Sequence, residues 1–160
     1  MFIAALGESI REHLGSLDWV PETIMASYHG IPKRYVTEGD PYEQECIETT
    51  HLLREYLDLD DKTLRMTFQS RFGKEEWLQP YTDKTLESLP DQGFKNIAVV
   101  MPGFSADCLE TSEEIAMEGA EIFHEHGGEN FTAIPCLNDS PAHLDALAAI
   151  AEERLLTGWI

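Results

Sequence analysis

The chain has 160 residues, 42% of them hydrophobic and 26% charged, the composition of one globular domain long enough to bury a core. Its formal net charge of −19 excludes a binder of nucleic-acid phosphates, which needs clustered Lys and Arg, and disfavours adsorption to anionic lipid. No apolar run reaches the length of a membrane span, and residues 1–7 lack the basic region and apolar length of a secretory leader, so none is expected.

In chain order, residues 2–14 have helical spacing and stop at Gly15, and residues 1–20 are read as a leading helix and linker before the main domain, 21–160. Residues 23–27 form a short strand, closed by Gly30 and Pro32. A helix is expected over 41–57, with Asp40 as N-cap and Pro41 at its first position. A second strand covers 64–68 and a shorter helix 81–89; a third strand runs over 97–101. An acidic helix follows as far as Gly127 and Gly128, then a fourth strand over 131–135 and a last helix over 141–156, entered through Ser140. Strands alternating with helices make right-handed βαβ units, so the fold class is α/β, an open four-stranded parallel sheet flanked by helices, Rossmann-like. Cys46, Cys108 and Cys136 are odd in number, far apart and without CxxC spacing, and are expected as free thiols in a reducing compartment.

Ligands of open α/β sheets sit outside the carboxyl ends of the strands. Those ends carry Tyr28-His29-Gly30, Gln69-Ser70-Arg71, Phe104 to Asp107, and Leu137-Asn138-Asp139. His29 supplies an imidazole that takes a proton or binds a divalent metal. Histidines 13, 51, 124, 126 and 143 fall on helices and are read as exposed surface.

The acidic helix places Glu110, Glu114, Glu118, Glu121 and Glu125 within an arc of about 80° on an ideal helical wheel. Its other face (Leu109, Ile115, Ala116, Ile122, Phe123) is the expected core side. Stacked like charges cost a few tenths of a kcal/mol per pair, about 0.2–0.5; the stripe is either a solvated surface or a place where a divalent cation compensates. Glu110, in the first turn, is favoured as a carboxylate there, and follows strand three as His29 follows strand one, so the two can converge. Asp107 is either the N-cap or a reactive group. Trp77 is either a core lid or a wall for a flat ligand. No GxGxxG, P-loop or GxSxG motif is present, which weakens nucleotide and hydrolase readings.

Taken in order, Ser27-Tyr-His-Gly-Ile-Pro32, Gly39-Asp-Pro-Tyr42, Gln69-Ser70, Trp77-Leu-Gln-Pro80, Thr82-Asp83, Gly103-Phe-Ser-Ala-Asp-Cys-Leu-Glu-Thr111 and Leu137-Asn-Asp139 resemble the ferrochelatase family over nearly the whole chain. The resemblance is to the C-terminal half alone, one of two similar α/β halves of a class II chelatase. It implies insertion of ferrous iron into protoporphyrin IX to give protohaem, with His29 and Glu110 as catalytic and metal-binding residues, and Glu114 and Glu118 as further metal carboxylates. Trp77, Phe104 and Ser70 are implied to contact substrate. No permanently bound cofactor is implied, iron being a substrate, and the cysteine-free end at Gly158-Trp-Ile excludes the iron–sulfur cluster of some members. The implied partners are porphyrin, Fe(II) and the missing N-terminal half, which supplies much of the cleft and the membrane-facing lip. Apolar surface left by that half would favour self-association. The implied location is cytoplasmic, peripheral to a membrane in the full-length enzyme. A related tetrapyrrole chelatase, a non-catalytic metal- or porphyrin-binding half-domain, and an acidic domain inert outside the complete enzyme remain alternatives.

Overall fold

The computed structural model describes residues 1–156; the last four residues, with the cysteine-free end and the domain's limit at 160, lie outside the described residues. Four parallel strands, β1 (Thr23–His29), β2 (Leu64–Gln69), β3 (Asn96–Val100) and β4 (Asn130–Ala133), form one sheet in the order β2-β1-β3-β4. The chain starts in the middle with β1, adds β2 on one side and β3 on the other. The carboxyl ends of β1 and β3 therefore flank the point where the strand order reverses, which is where such sheets bind ligands.

Alternate residues of the central strands feed two cores, as a period of two requires. Ile24, Ala26, Tyr28, Ala98 and Val100 face one side, where α1 (Phe2–Gly15) contributes Leu6 and Ile10 and α3 (Tyr42–Leu57) contributes Leu53. Met25, Ile97 and Val99 face the other, packed with Leu86 of α4 (Thr82–Ser88), Ile115 and Phe123. Asp40 caps α3 as expected: its carboxylate accepts the Tyr42 backbone N–H at 2.9 Å. Ser140 likewise accepts the His143 N–H at the start of α7 (Pro141–Ala151).

Several expectations need correction. A short helix, α2 (Lys33–Thr37), follows β1 where only a turn was read. The acidic helix is not one regular helix: α5 (Leu109–Ser112) leads into a π-helical stretch (Glu114–Gly119) and then α6 (Ala120–Glu125). The Glu118 N–H reaches back to the Glu113 carbonyl at 2.9 Å, five residues away. The buried face is narrower than expected: Leu109 is 72% exposed and Ala116 is exposed, while Ile115, Gly119 and Phe123 are buried. The last helix keeps α geometry only to Ala151, before a second π-helical stretch (Glu152–Leu156).

Two histidines are not surface residues. His143 is buried, its Nδ1–H donating to the Asn138 carbonyl at 2.6 Å. His13 is half-buried, with Nε2 2.8 Å from the Thr132 hydroxyl. The cysteines are free, and burial raises the Cys46 thiol to about 11.

Candidate functional site at the strand carboxyl ends

The loop leaving β1 is zipped to the segment leaving β2. The Gly30 N–H donates to the Gln69 carbonyl (2.8 Å), Leu78 N–H to Ile31 (3.0 Å) and Lys33 N–H to Glu76 (2.9 Å). A Cβ on Gly30 would lie 3.0 Å from the Gln69 carbonyl oxygen and 3.2 Å from the Trp77 ring, so the close approach demands glycine. The Tyr42 hydroxyl donates to the His29 carbonyl at 2.8 Å and steadies the turn from the α3 side.

In this frame the half-buried His29 ring stands between two aromatics, with centroids 6.3 Å from Phe104 and 6.5 Å from Trp77. Its Nδ1 lies 2.7 Å from the Gly30 carbonyl, which only accepts, so Nδ1 carries the hydrogen and Nε2 keeps the lone pair. Trp77 is buried and stacks on the exposed Phe72 at 5.0 Å. Its burial fits the lid reading.

Glu110 is near enough to His29 for the two to interact electrostatically. The Cys108 thiol and the residue's own backbone N–H hold its carboxyl below the ordinary range, with a smaller contribution from the neighbouring His29. Cys108, not Asp107, caps α5: its sulfur accepts the Thr111 N–H, and the Thr111 hydroxyl accepts the Cys108 N–H at 2.9 Å. Asp107 instead ties the β3 loop to the β4 loop, accepting from Asn138 Nδ2 (2.7 Å), the Cys136 N–H (3.1 Å) and the Thr111 hydroxyl (3.2 Å). Partial burial pushes its pKa up, but these donors outweigh that and leave it lowered.

Glu114 is latched by the end of β2. Ser70 adopts a left-handed φ of 63°, which turns its N–H (2.6 Å) and hydroxyl (2.5 Å) onto the two oxygens of Glu114. Gln69 Nε2 donates to the Glu110 carbonyl (2.7 Å) and reaches Glu114 (3.3 Å), while its Oε1 accepts from buried Ser27 at 2.8 Å. Ser27 also meets Thr82, and Thr82 meets Thr67, in a buried hydroxyl string under the site. Gln69 therefore spans from the core to the acidic helix, a role its place beside Ser70 did not reveal.

Glu114 and Glu118 line a cavity of about 230 Å³ with Ser70, Asp83 and Leu86, rimmed by Arg71. Arg71 pairs with both oxygens of Asp83 (2.5 and 2.7 Å) and lies 4.2 Å over the Tyr81 ring. The cavity adjoins an open groove that shares Glu114 and Glu118 and adds Glu110 and Glu113. His29 is in neither wall. Thus His29, Phe104 and Trp77 gather in one aromatic cluster, and Glu110 lines the acidic groove with Ser70, Glu114 and Glu118. Among the described residues, no three or more His, Cys, Asp or Glu side chains form a cluster able to hold a metal ion. Also among them, no helix is long and apolar enough to cross a membrane.

The ferrochelatase family model matches residues 1–155. The chain belongs to the ferrochelatase family. Ferrochelatases of Rhodopseudomonas palustris (strain TIE-1) and Bradyrhizobium sp. (strain BTAi1) are 57% and 58% identical to it over 159 residues, 99% of this chain. That of Mesorhizobium japonicum is 56% identical over all of it. The chain spans about half the length of these ferrochelatases, 46%, 45% and 45% respectively. A solved CbiX protein of Marinobacter aquaeolei VT8 superposes with a TM-score of 0.57 at 16% identity, over 85% of this chain and 98% of its own. That likeness concerns the fold alone.

Proposed function

We propose that this chain is the C-terminal half of an enzyme that inserts ferrous iron into protoporphyrin IX, a cytoplasmic metal-inserting lyase of haem biosynthesis. The observation that carries the reading is His29, held between two aromatic rings with only Nε2 open, beside a Glu110 kept ionised. Insertion removes two pyrrole protons as a dication enters, so the macrocycle needs proton acceptors as much as the ion needs ligands. His29 Nε2 and Glu110 share those two tasks. Phe104 and Trp77 wall the flat substrate, and the other half of the enzyme closes the cleft from the opposite side.

Glu118 and Glu114 carry Fe(II) inward from the acidic channel, each offering one carboxylate, and Ser70 holds Glu114 in place. Such single-carboxylate steps suit an ion in transit, bound as substrate and exchanging waters for oxygen ligands. No resident cofactor enters this scheme.

The test is anaerobic loss of protoporphyrin fluorescence with Fe(II) or Zn(II), using this chain complemented by the rest of a family member, against protein-free controls. Insertion is expected, and His29→Ala is expected to abolish it. Near-normal turnover by that variant would overturn the assignment.

A further inference from the structure

Two of the free thiols sit where the loop after β3 touches the loop after β4. Cys108 and Cys136 are both half-buried, whereas Cys46 is buried in the core. Asp107, which precedes Cys108, ties the two loops by accepting the Cys136 N–H at 3.1 Å. One carboxylate arm therefore separates the backbone beside Cys108 from that of Cys136, and a disulfide bridges Cα atoms about 4.4–6.8 Å apart. Both sulfurs also converge on one buried residue, Thr111. The Cys108 sulfur accepts the Thr111 N–H. The Cys136 thiol interacts with the Thr111 hydroxyl, with the Asp107 carboxylate and with the Cys108 thiol itself.

From this we infer that Cys108 and Cys136 form a reversible disulfide when hydrogen peroxide reaches them, and that the new bond releases the start of α5. Peroxide oxidises the Cys108 thiol to a sulfenic acid and is itself reduced to water. The Cys136 sulfur then attacks the Cys108 sulfur. The S–S bond forms, the S–O bond breaks, and the Cys136 proton leaves with the hydroxyl as a second water. Burial and the Asp107 carboxylate push the Cys136 thiol up to about 12, so it stays protonated until Cys108 has been oxidised. When reduced, Cys108 is one half of the capping box with Thr111, and its thiol is the largest influence keeping Glu110 ionised. A sulfur bonded to Cys136 has no hydrogen to donate to Glu110 and is drawn off the Thr111 N–H, so the first turn of α5 loses its cap. Any loss of metal insertion rests on the role proposed for Glu110; the disulfide and the loosened turn do not.

The test treats this chain with hydrogen peroxide, alkylates the remaining thiols, and maps the products by mass spectrometry after cleavage at the glutamates that lie between the two cysteines. One free thiol is expected, at Cys46, together with a crosslinked pair of peptides carrying Cys108 and Cys136, and dithiothreitol should return both thiols. Amide exchange over residues 109–113 should quicken about tenfold on oxidation and recover on reduction. Cys136→Ser should abolish the crosslink and leave Cys108 as a sulfenic acid, and the wild-type map needs no variant. Disulfides formed only between chains, loss of Cys46 at the same rate, Cys108 oxidised with Cys136 still free, or a crosslink that leaves exchange over 109–113 unchanged would each overturn the inference. A crosslinked chain that, once complemented, still inserts metal at the full rate would count against the proposed role of Glu110 alone.

Discussion

The acidic segment Leu109–Glu125 and the apolar helix α7 sit at opposite extremes of one fold. The acidic segment carries charge that ought to push it off the protein, yet it is anchored twice: Ile115 and Phe123 are buried beneath it, and Ser70 and Gln69 grip Glu114 and the Glu110 carbonyl above. Helix α7 carries apolar residues that ought to hold it in, yet only its first turns reach the core. Composition alone says which helix would rather be buried. It does not say which one this fold buries, because that depends on which surfaces the sheet and its neighbouring helices set against each.

Truncations should make the contrast measurable. Phe123→Ala empties a fully buried site under the acidic segment and should cost about 3–5 kcal/mol in urea unfolding. Leu147→Ala on α7 should change the stability of the isolated chain by less than about 0.5 kcal/mol, because the side chain is already half in water. Equal costs would erase the distinction. Next in size is Gln69→Leu, which leaves the Glu110 carbonyl and Ser27 without their partner; a loss of about 1–3 kcal/mol is expected, with faster amide exchange confined to residues 110–119. Ser70→Ala removes only the hydroxyl arm of the latch and should cost about 1 kcal/mol in urea unfolding.

The smallest effect is a pH effect. Asp107 has a lower pKa folded than unfolded, so its ionised form favours the native state. That contribution is complete above the ordinary carboxylate range and is lost as pH falls through the folded value. Asp107→Asn should therefore flatten the acid limb of a stability–pH curve and leave the neutral-to-alkaline part parallel to the wild type. An unchanged acid limb would mean that the bonds to Asn138 and the Cys136 N–H carry no charge-dependent stability.

Much of this was legible in the residues. Each strand was located to within two residues at either end, because buried β-branched runs are bounded by Gly, Pro and polar turns. Parallel topology puts His29 and Glu110 at the same end of adjacent strands, as the sequence predicted. Other features depended on three-dimensional competition. The π-helical stretch was not foreseen, because no local propensity marks a single wider turn, and Leu109 and Ala116 lie outside the buried Ile115–Gly119–Phe123 stripe. His143 reads as a polar surface residue until the Asn138 carbonyl arrives from the β4 loop. Asp107 has every property of an N-cap, but Asn138 and Cys136 claim it first.

The bond from His29 to the Gly30 carbonyl has a directional consequence. An imidazole relays protons when one nitrogen gains a proton while the other sheds one. Here the Nδ1 hydrogen points at an amide oxygen too weakly basic to take it away, and the turn that holds that oxygen is itself pinned to β2. The ring is therefore a cul-de-sac: a proton that enters at Nε2 leaves by the same atom. On the proposed chemistry, the ring would be reset from the open face of the site, through water or the neighbouring Glu110, and so only once that face is uncovered.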